Sequence, residues 1–434
     1  MSVHGAARAR ETFLWMAVLS IVTLLLGVLR ELVIARELRA SGAADLFFRG
    51  LVVIGATRGF GLALLRARWI PIPRLVPSRQ LLRDELPTLW LVLGVAAIAL
   101  GLIVGPEALQ TPTGWAIALC VPAALFGGAV RVLAERAGFE KRGFVFEWGV
   151  PLGTIGGALL IPGGALGPAV GLLGGLTLGG LILAPVALQS RVSGDSEPER
   201  AEDEQRARAG FTRWLMLDTL LYVNLGLLDA AASPHIFDEG GFALLNYAYL
   251  FVNAALMVPT AAATIVALRY AAAHKHEPAR AHVVLRRWSL LGGLTMGAAV
   301  SGVALLLGWE PLATAVAEAA GWEVTGSIKT LVLYSAPFAA LRFANTVGRQ
   351  QRVAHAPRTL VPWDLTGLLG RAALLIGGST LLGLGVTASP LALAVAEFVQ
   401  LLAWSRAPPP ERAPASRPAP TNLLTADDEP GGPR

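Results

Sequence analysis

Cysteine is nearly missing from this chain, with Cys120 the only one in 434 residues. One thiol closes no disulfide within the chain and builds no thiolate cluster around a metal. Histidine is scarce too, six in all, and none stands in an H-E-x-x-H spacing. No G-x-x-x-x-G-K-[ST] run is present to cradle the phosphates of a nucleotide. These absences exclude the familiar metalloenzyme and P-loop ATPase chemistries, and they imply neither a cofactor nor a bound metal. Charge is the deepest shortage. Only 15% of the residues are Asp, Glu, Lys or Arg, against roughly a quarter in soluble proteins.

Apolar residues fill the space that charge leaves: 54% of the chain is hydrophobic and the mean hydropathy is +0.58. Apolar runs of about 20 residues, enough to cross a bilayer core of roughly 30 Å, fall near 12–36, 46–66, 86–106, 114–134, 144–162 and 165–189. A second set falls near 211–232, 241–269, 287–308, 326–348, 361–384 and 388–405. The fold class is therefore an all-α polytopic membrane protein with about 12 transmembrane helices. The break between the fifth and sixth rests on Pro162-Gly163-Gly164. The opening MSVHGAARARETFLWMAVLSIVTLLLGVLR has the basic start of a signal peptide. Its apolar run is too long for one and no small-x-small site follows, so it reads as a retained first helix.

The net charge of +6 is distributed in a way that points to a bilayer and away from nucleic acid. Basic residues collect in alternate loops: Arg66, Arg68, Arg74, Arg79 and Arg83 in one, Arg349, Arg352 and Arg358 in another. The opposite loops carry Glu107, Asp238, Glu239, Glu310, Glu318 and Glu323. By the positive-inside rule both termini lie in the cytoplasm. The charged loop from Arg191 to Arg208 divides the helices six and six. The expected units are a six-helix lobe over 1–190, a solvated linker over 191–210, a second six-helix lobe over 211–406, and a disordered Pro-rich tail over 407–434. SGAADLFFRGLVVIGATRGFGLALL and EGGFALLNYAYLFVNAALMVPTAAATIVAL look weakly alike, each a Gly-bearing turn followed by aromatics and a long helix. Two repeated lobes around a central cavity are a plan that transporters use.

Against this background the stretch from Gly27 to Arg58 stands out. It is apolar enough to span, yet it holds Arg30, Glu31, Arg36, Asp45, Arg49 and Arg58. Charge inside a spanning segment is costly and usually marks a pathway or wet cavity. Arginine stays ionised and offers a planar fork to phosphate oxygens, so an anionic cargo fits this pattern. Arg30 and Arg58 are the leading substrate-binding candidates, and Arg49, nearer the outer surface, serves the same field. Asp45 either joins that site or caps the N-terminus of its own helix. Glu31 is expected to face away from Arg30, because sequence neighbours do not share a helix face. Arg36 is expected to snorkel to the interface.

The second half offers oxygen ligands instead. Asp218, Asp364, Thr366 and Glu397 suit a cation site for Na⁺ or H⁺ as coupling ion, and Asp229 lies in the same region nearer the outside. Arg342 and Arg371 keep open the alternative that these carboxylates form structural pairs. Pro122, Pro151, Pro259 and Pro337 are expected to kink helices. The glycines of GTIGGALL and GLLGGLTLGG suit close helix packing. Trp69, Trp115, Trp214, Trp309 and Trp322 are expected at the membrane interfaces.

Gly27-x-x-Arg30-Glu31, followed by Ala35, Gly42, Asp45, Phe47 and Arg58, resembles the opening of the MurJ/MviN family. These are lipid II flippases of the multidrug/oligosaccharidyl-lipid/polysaccharide exporter superfamily. Leu245-Asn246-Tyr247-Ala248, after an Asp-Glu-Gly turn, resembles the start of that family's eighth helix. Leu24 and Leu250 stand where the family commonly has arginine, LLRARWIPI replaces its usual end to the second helix, and two further C-terminal helices have no counterpart. The resemblance implies two lobes facing each other in a V, with a cationic cavity that receives a pyrophosphate and its sugars through Arg30, Arg58, Asp45 and Arg49. It implies a cation site among the later helices and no enzymatic chemistry. It implies, as partners, a lipid-linked sugar precursor, membrane lipids and cell-envelope synthesis proteins, and a place in the bacterial inner membrane. The implied activity is movement of an undecaprenyl-pyrophosphate-linked peptidoglycan precursor across that membrane by alternating access. A flippase for other polysaccharide repeat units, a cation-coupled exporter and a non-transporting envelope-assembly scaffold are the alternatives.

Overall fold

The structure is a computed structural model that describes residues 3–69, 78–137, 139, 142–188, 217, 221, 225–273, 278–320, 325–355 and 361–406. Those residues form α-helices and the short connections between them, with no strand among them. In chain order the helices are α1 (Val3–Leu38), α2 (Gly42–Trp69), α3 (Ser78–Val104), α4 (Pro106–Leu109), α5 (Pro112–Arg136), α6 (Gly143–Leu160) and α7 (Leu166–Leu188). They continue with α8 (Leu225–Ile236), α9 (Gly241–Ala273), α10 (Pro278–Leu307), α11 (Glu310–Ala320), α12 (Thr325–Tyr334), α13 (Ala336–His355), α14 (Val361–Leu381) and α15 (Ala388–Arg406). Eleven of the twelve apolar runs coincide with a helix or a helix pair, α4 and α11 being short additions between runs. Most of the first part of the run near 211–232 lies outside the described residues, and its end falls in α8. Among the described residues, six helices are long and apolar enough to cross a membrane by length and composition alone. In others, such as α14, buried charges dilute the hydropathy: Asp364 and Arg371 both lie inside it.

Proline and glycine act locally as their chemistry dictates. Pro122, Pro151 and Pro259 sit within unbroken helices. At Pro337 the backbone breaks, separating α12 from α13 at Ser335. Ser335 donates to the Leu331 carbonyl there through both its backbone N–H, at 3.0 Å, and its Oγ, at 2.7 Å. Between α6 and α7 the Pro162-Gly163-Gly164 turn uses φ of 130° and 62° at its two glycines. Glycine alone adopts such angles freely.

Helices α1–α7 pack on one another, and α8–α15 do likewise. In the first group α6 and α7 meet along two glycine rows, Gly149, Gly153 and Gly157 against Gly167, Gly171 and Gly175. A Cβ on any of these would enter the backbone of the opposite helix. This is small-residue packing of the kind that brings membrane helices into backbone contact. Helix α5 is the centre of that group, with 67% of its most apolar window buried, whereas α3 and α10 have 28% and 22%. The exposed rims of α3 and α10 carry Trp90, Leu91, Ile98 and Leu102, and Leu291, Leu294 and Leu305, a surface suited to acyl chains. Trp115 and Trp309 are exposed as interface anchors would be, but Trp69 is fully buried. It closes the core at the end of α2 instead. Trp214 and Trp322 lie outside the described residues, as do the whole linker at 191–210 and the whole tail at 407–434.

The two groups touch through a few helices: α1 with α9 and α11, α2 with α8 and α9, and α3 with α8. One continuous apolar cluster bridges them, including Ile34, Phe47, Phe48, Phe242 and Tyr247. The two stretches whose sequences look alike are thus packed against each other.

Candidate functional site

The contact between the halves is built on two facing helix N-termini. Each such terminus has unpaired N–H groups and a partial positive charge. Ser41 caps its own helix, accepting from Ala44 N at 3.3 Å. Asp45 therefore has no need to cap α2. Its carboxylate reaches across to α9, accepting from Gly240 N at 2.8 Å and Ala243 N at 2.7 Å. In return Glu239, just before α9, accepts from Gly42 N of α2 at 3.0 Å. Each half thus supplies the carboxylate that caps the other. Tyr247 adds a bond, its hydroxyl donating to the Arg39 carbonyl at 2.9 Å, while Phe48 packs edge-on against its ring at 5.3 Å.

Backbone geometry serves the same contact. Gly240 has φ of 81°, and a Cβ there would run into the backbone of Ala40. Arg39 is the one non-glycine residue of positive φ among those described, at 52°. Arg49 belongs to this end as well, its Nε donating to the Asp45 carbonyl at 3.3 Å. The four expected substrate residues therefore divide. Asp45 and Arg49 lie at the mutual cap, and Arg30 and Arg58 lie deeper along α1 and α2.

At 1.5 Å per residue, Arg30 sits about 12 Å below the end of α1 and Arg58 about 20 Å below Asp45. The two guanidiniums are close enough to repel, and Arg66 adds to that field. None is bare. Arg30 donates through Nε to Glu31 Oε1 at 3.0 Å. Neighbouring positions do not share a helix face, but an arginine stem is long enough to fold back along the helix. Arg58 pairs with Glu147 of α6 and lies over the Phe146 ring, 4.8 Å from its centroid.

Glu147 is shared. Its other oxygen pairs with Arg131 of α5, whose Nε donates to Glu135 at 3.0 Å. Glu135 in turn receives a bidentate fork from Arg66, at 2.6 and 2.8 Å. Three arginines from α2 and α5 and two glutamates thus make one chain of charges. All are partly accessible, with side-chain exposures between 13% and 40%. Sequence reading missed Arg131, Glu135 and Glu147 as site residues. The signal was present, because Glu147 lies inside an apolar run and Arg131 and Glu135 are an i,i+4 pair at the end of another.

The second half arranges its charges differently. Arg371 and Asp229 pair inside the bundle with side-chain exposures of 0% and 4%, and Tyr249 and Ser389 share a hydrogen bond at 3.2 Å beside them. Glu397, also fully buried, binds Arg342 and Asn345 at 2.7 Å each. Asp364 receives the side-chain amide of Gln400. Thr366 is exposed and bonds to the Pro362 carbonyl of its own helix, while Asp218 lies outside the described residues. Among the described residues no three His, Cys, Asp or Glu side chains gather where they would hold a metal ion.

No protein-family model matches the sequence, and no curated protein does. Solved structures do match. One is described as the lipid II flippase MurJ in an inward closed conformation: TM-score 0.69, 14% identity, 90% of this chain and 86% of that chain covered. Another is an inward-facing multidrug resistance MATE family transporter of the MOP superfamily, with TM-score 0.56, 15% identity, and 88% and 92% coverage. What this chain shares with both is the fold: a multi-pass all-α membrane protein, MurJ-like in architecture and distant from it in sequence.

Proposed function

We propose that the chain is a flippase-like transporter that carries an undecaprenyl-pyrophosphate-linked precursor, lipid II or a close relative, across the bacterial inner membrane by alternating access. The observation that carries this reading is the vertical arrangement of charge along α1 and α2. One end is closed by reciprocal caps between the two halves. Below that closure lie arginines on both helices, in electrostatic contact and partly accessible. With both termini cytoplasmic, the closed end is outward and the arginines are approached from the inside.

Flipping makes and breaks no bond. The head group must cross roughly 30 Å of hydrocarbon without paying the full desolvation cost of its charge. Guanidiniums offset that cost by replacing water around the pyrophosphate. Opening the outer end requires breaking the mutual caps, and releasing the head group requires leaving the arginines. Arg30 and Arg58 are the proposed head-group residues, with Asp45 and Arg49 acting on the closure. The 1–190 and 211–406 segments are the two lobes that rock. Coupling to Na⁺ or H⁺ through Asp364, Glu397 and their neighbours belongs to the same proposal. Supporting it are carboxylates buried within the second lobe, Asp364 beside Gln400 and Glu397 beside Arg342 and Asn345.

Reconstitution tests it. In vesicles carrying the purified chain and fluorescent lipid II, the protected fraction of head group should fall with time relative to empty vesicles. Vesicles loaded with other polyprenyl-linked glycans rank the substrates. A chain that moves none of them, yet retains envelope-synthesis proteins in a pull-down, is the scaffold of the alternative reading.

A further inference from the structure

We infer that Glu147 is a built-in stand-in for the pyrophosphate: it holds Arg58 and Arg131 together in the empty protein and gives them up when the anionic head group arrives. The inference rests on the proposed flippase reading and adds to it a site, Arg131 with Glu147, that neither the opening motif nor the eighth-helix motif contains. Glu147 offers one oxygen to each arginine, the pattern in which two oxygens of a phosphate are bridged by separate guanidiniums.

Displacement needs both arginines to stay in place once the carboxylate leaves, and each has a second anchor. Arg131 keeps Glu135, one turn along α5, at 3.0 Å. Arg58 keeps the face of Phe146. That ring is fully buried and wedged against Gly127, where any side chain would collide with it, and Gly179, where one would press tightly on it. Arg58 Nε is also buried without a hydrogen-bond partner, a donor left over for a ligand with more oxygens than a carboxylate has. A buried donor left unmade costs about 1–3 kcal/mol. Among the described residues the charge count favours an incoming anion, since three guanidiniums face two carboxylates. Placing the cluster entirely on α2, α5 and α6 also accounts for binding without arginines at Leu24 and Leu250.

The test is binding by the full-length chain in detergent, followed by native mass spectrometry, with a polyprenyl pyrophosphate and the matching monophosphate as probes. Glu147→Gln removes the competing charge and should tighten pyrophosphate binding about tenfold, the scale of one charge-assisted contact. Arg131→Ala should weaken it by a similar factor and narrow the preference for pyrophosphate over monophosphate. Inorganic pyrophosphate should displace the lipid from the wild type, showing that the head group and not the tail is read. A purely structural Glu147 gives the opposite: unchanged or weaker binding in Glu147→Gln, which overturns the inference. Should Glu147→Gln fail to purify, Glu147→Asp withdraws the carboxylate by one methylene and must shift affinity in the same direction. The two proposals fail separately. A wild type that moves lipid while Glu147→Gln binds no better loses only this site, and tightened binding without transport loses only the flippase reading.

Discussion

In helices α1–α7 the arginines of the charge chain outnumber the carboxylates they touch, and 15–40% of each side chain stays accessible. In α8–α15 the central pair is balanced and sealed, with Arg371 at 0% and Asp229 at 4%. The residue types are the same; the balance and the access differ. A surplus of reachable cations is free to serve a mobile anion. A closed ion pair is fixed structure, for which loss of one member strands a buried charge. On the proposed reading, cargo falls to the first half and rigidity to the second.

The sharpest break of that contrast is Arg371→Ala. It leaves Asp229 buried with no guanidinium and should destabilise the protein by about 3–5 kcal/mol, read as a large fall in melting temperature in detergent. The double variant Asp229→Asn with Arg371→Met should recover most of the loss. Next comes Gly153→Leu, which forces α6 from α7 and should cost on the order of 1–3 kcal/mol or more by overpacking, visible in the same melt. Asp45→Ala removes two charge-assisted bonds between the halves, each worth about 1.5–3 kcal/mol, and acts mainly on conformation. Spin labels at Ala43 and Asp238, in a Cys120→Ser background, should show a longer and broader distance distribution than the unaltered closure. Smallest is Arg66→Ala. Its side chain is 40% exposed, and such a pair contributes about 0–1 kcal/mol, so melting should barely move.

Much of the helix layout was legible because apolar length alone specifies a span, and the Pro162-Gly164 turn and the break at Pro337 followed from backbone chemistry. The contacts between halves were not. Asp45 and Gly240 are 195 residues apart, and nothing local says that a carboxylate will cap a helix from the other half of the chain. Trp69 was misplaced because its position near a helix end says nothing of what packs over it. The Arg30–Glu31 contact escaped because a helix-face rule describes Cβ directions and ignores side-chain reach. Glu147 was the avoidable omission, since the rule that singled out Arg30 applies equally to a glutamate within FVFEWGVP.

The most direct measurement pairs transport with stability in one variant, Arg58→Ala. Head-group translocation in vesicles should fall at least tenfold while the melting temperature stays within a few degrees of the wild type, because Glu147 keeps Arg131 as its partner and no carboxylate is left unpaired. Translocation at the wild-type rate in a well-folded Arg58→Ala would contradict the account, since the accessible arginines of α1–α7 would then have no part in carrying the cargo.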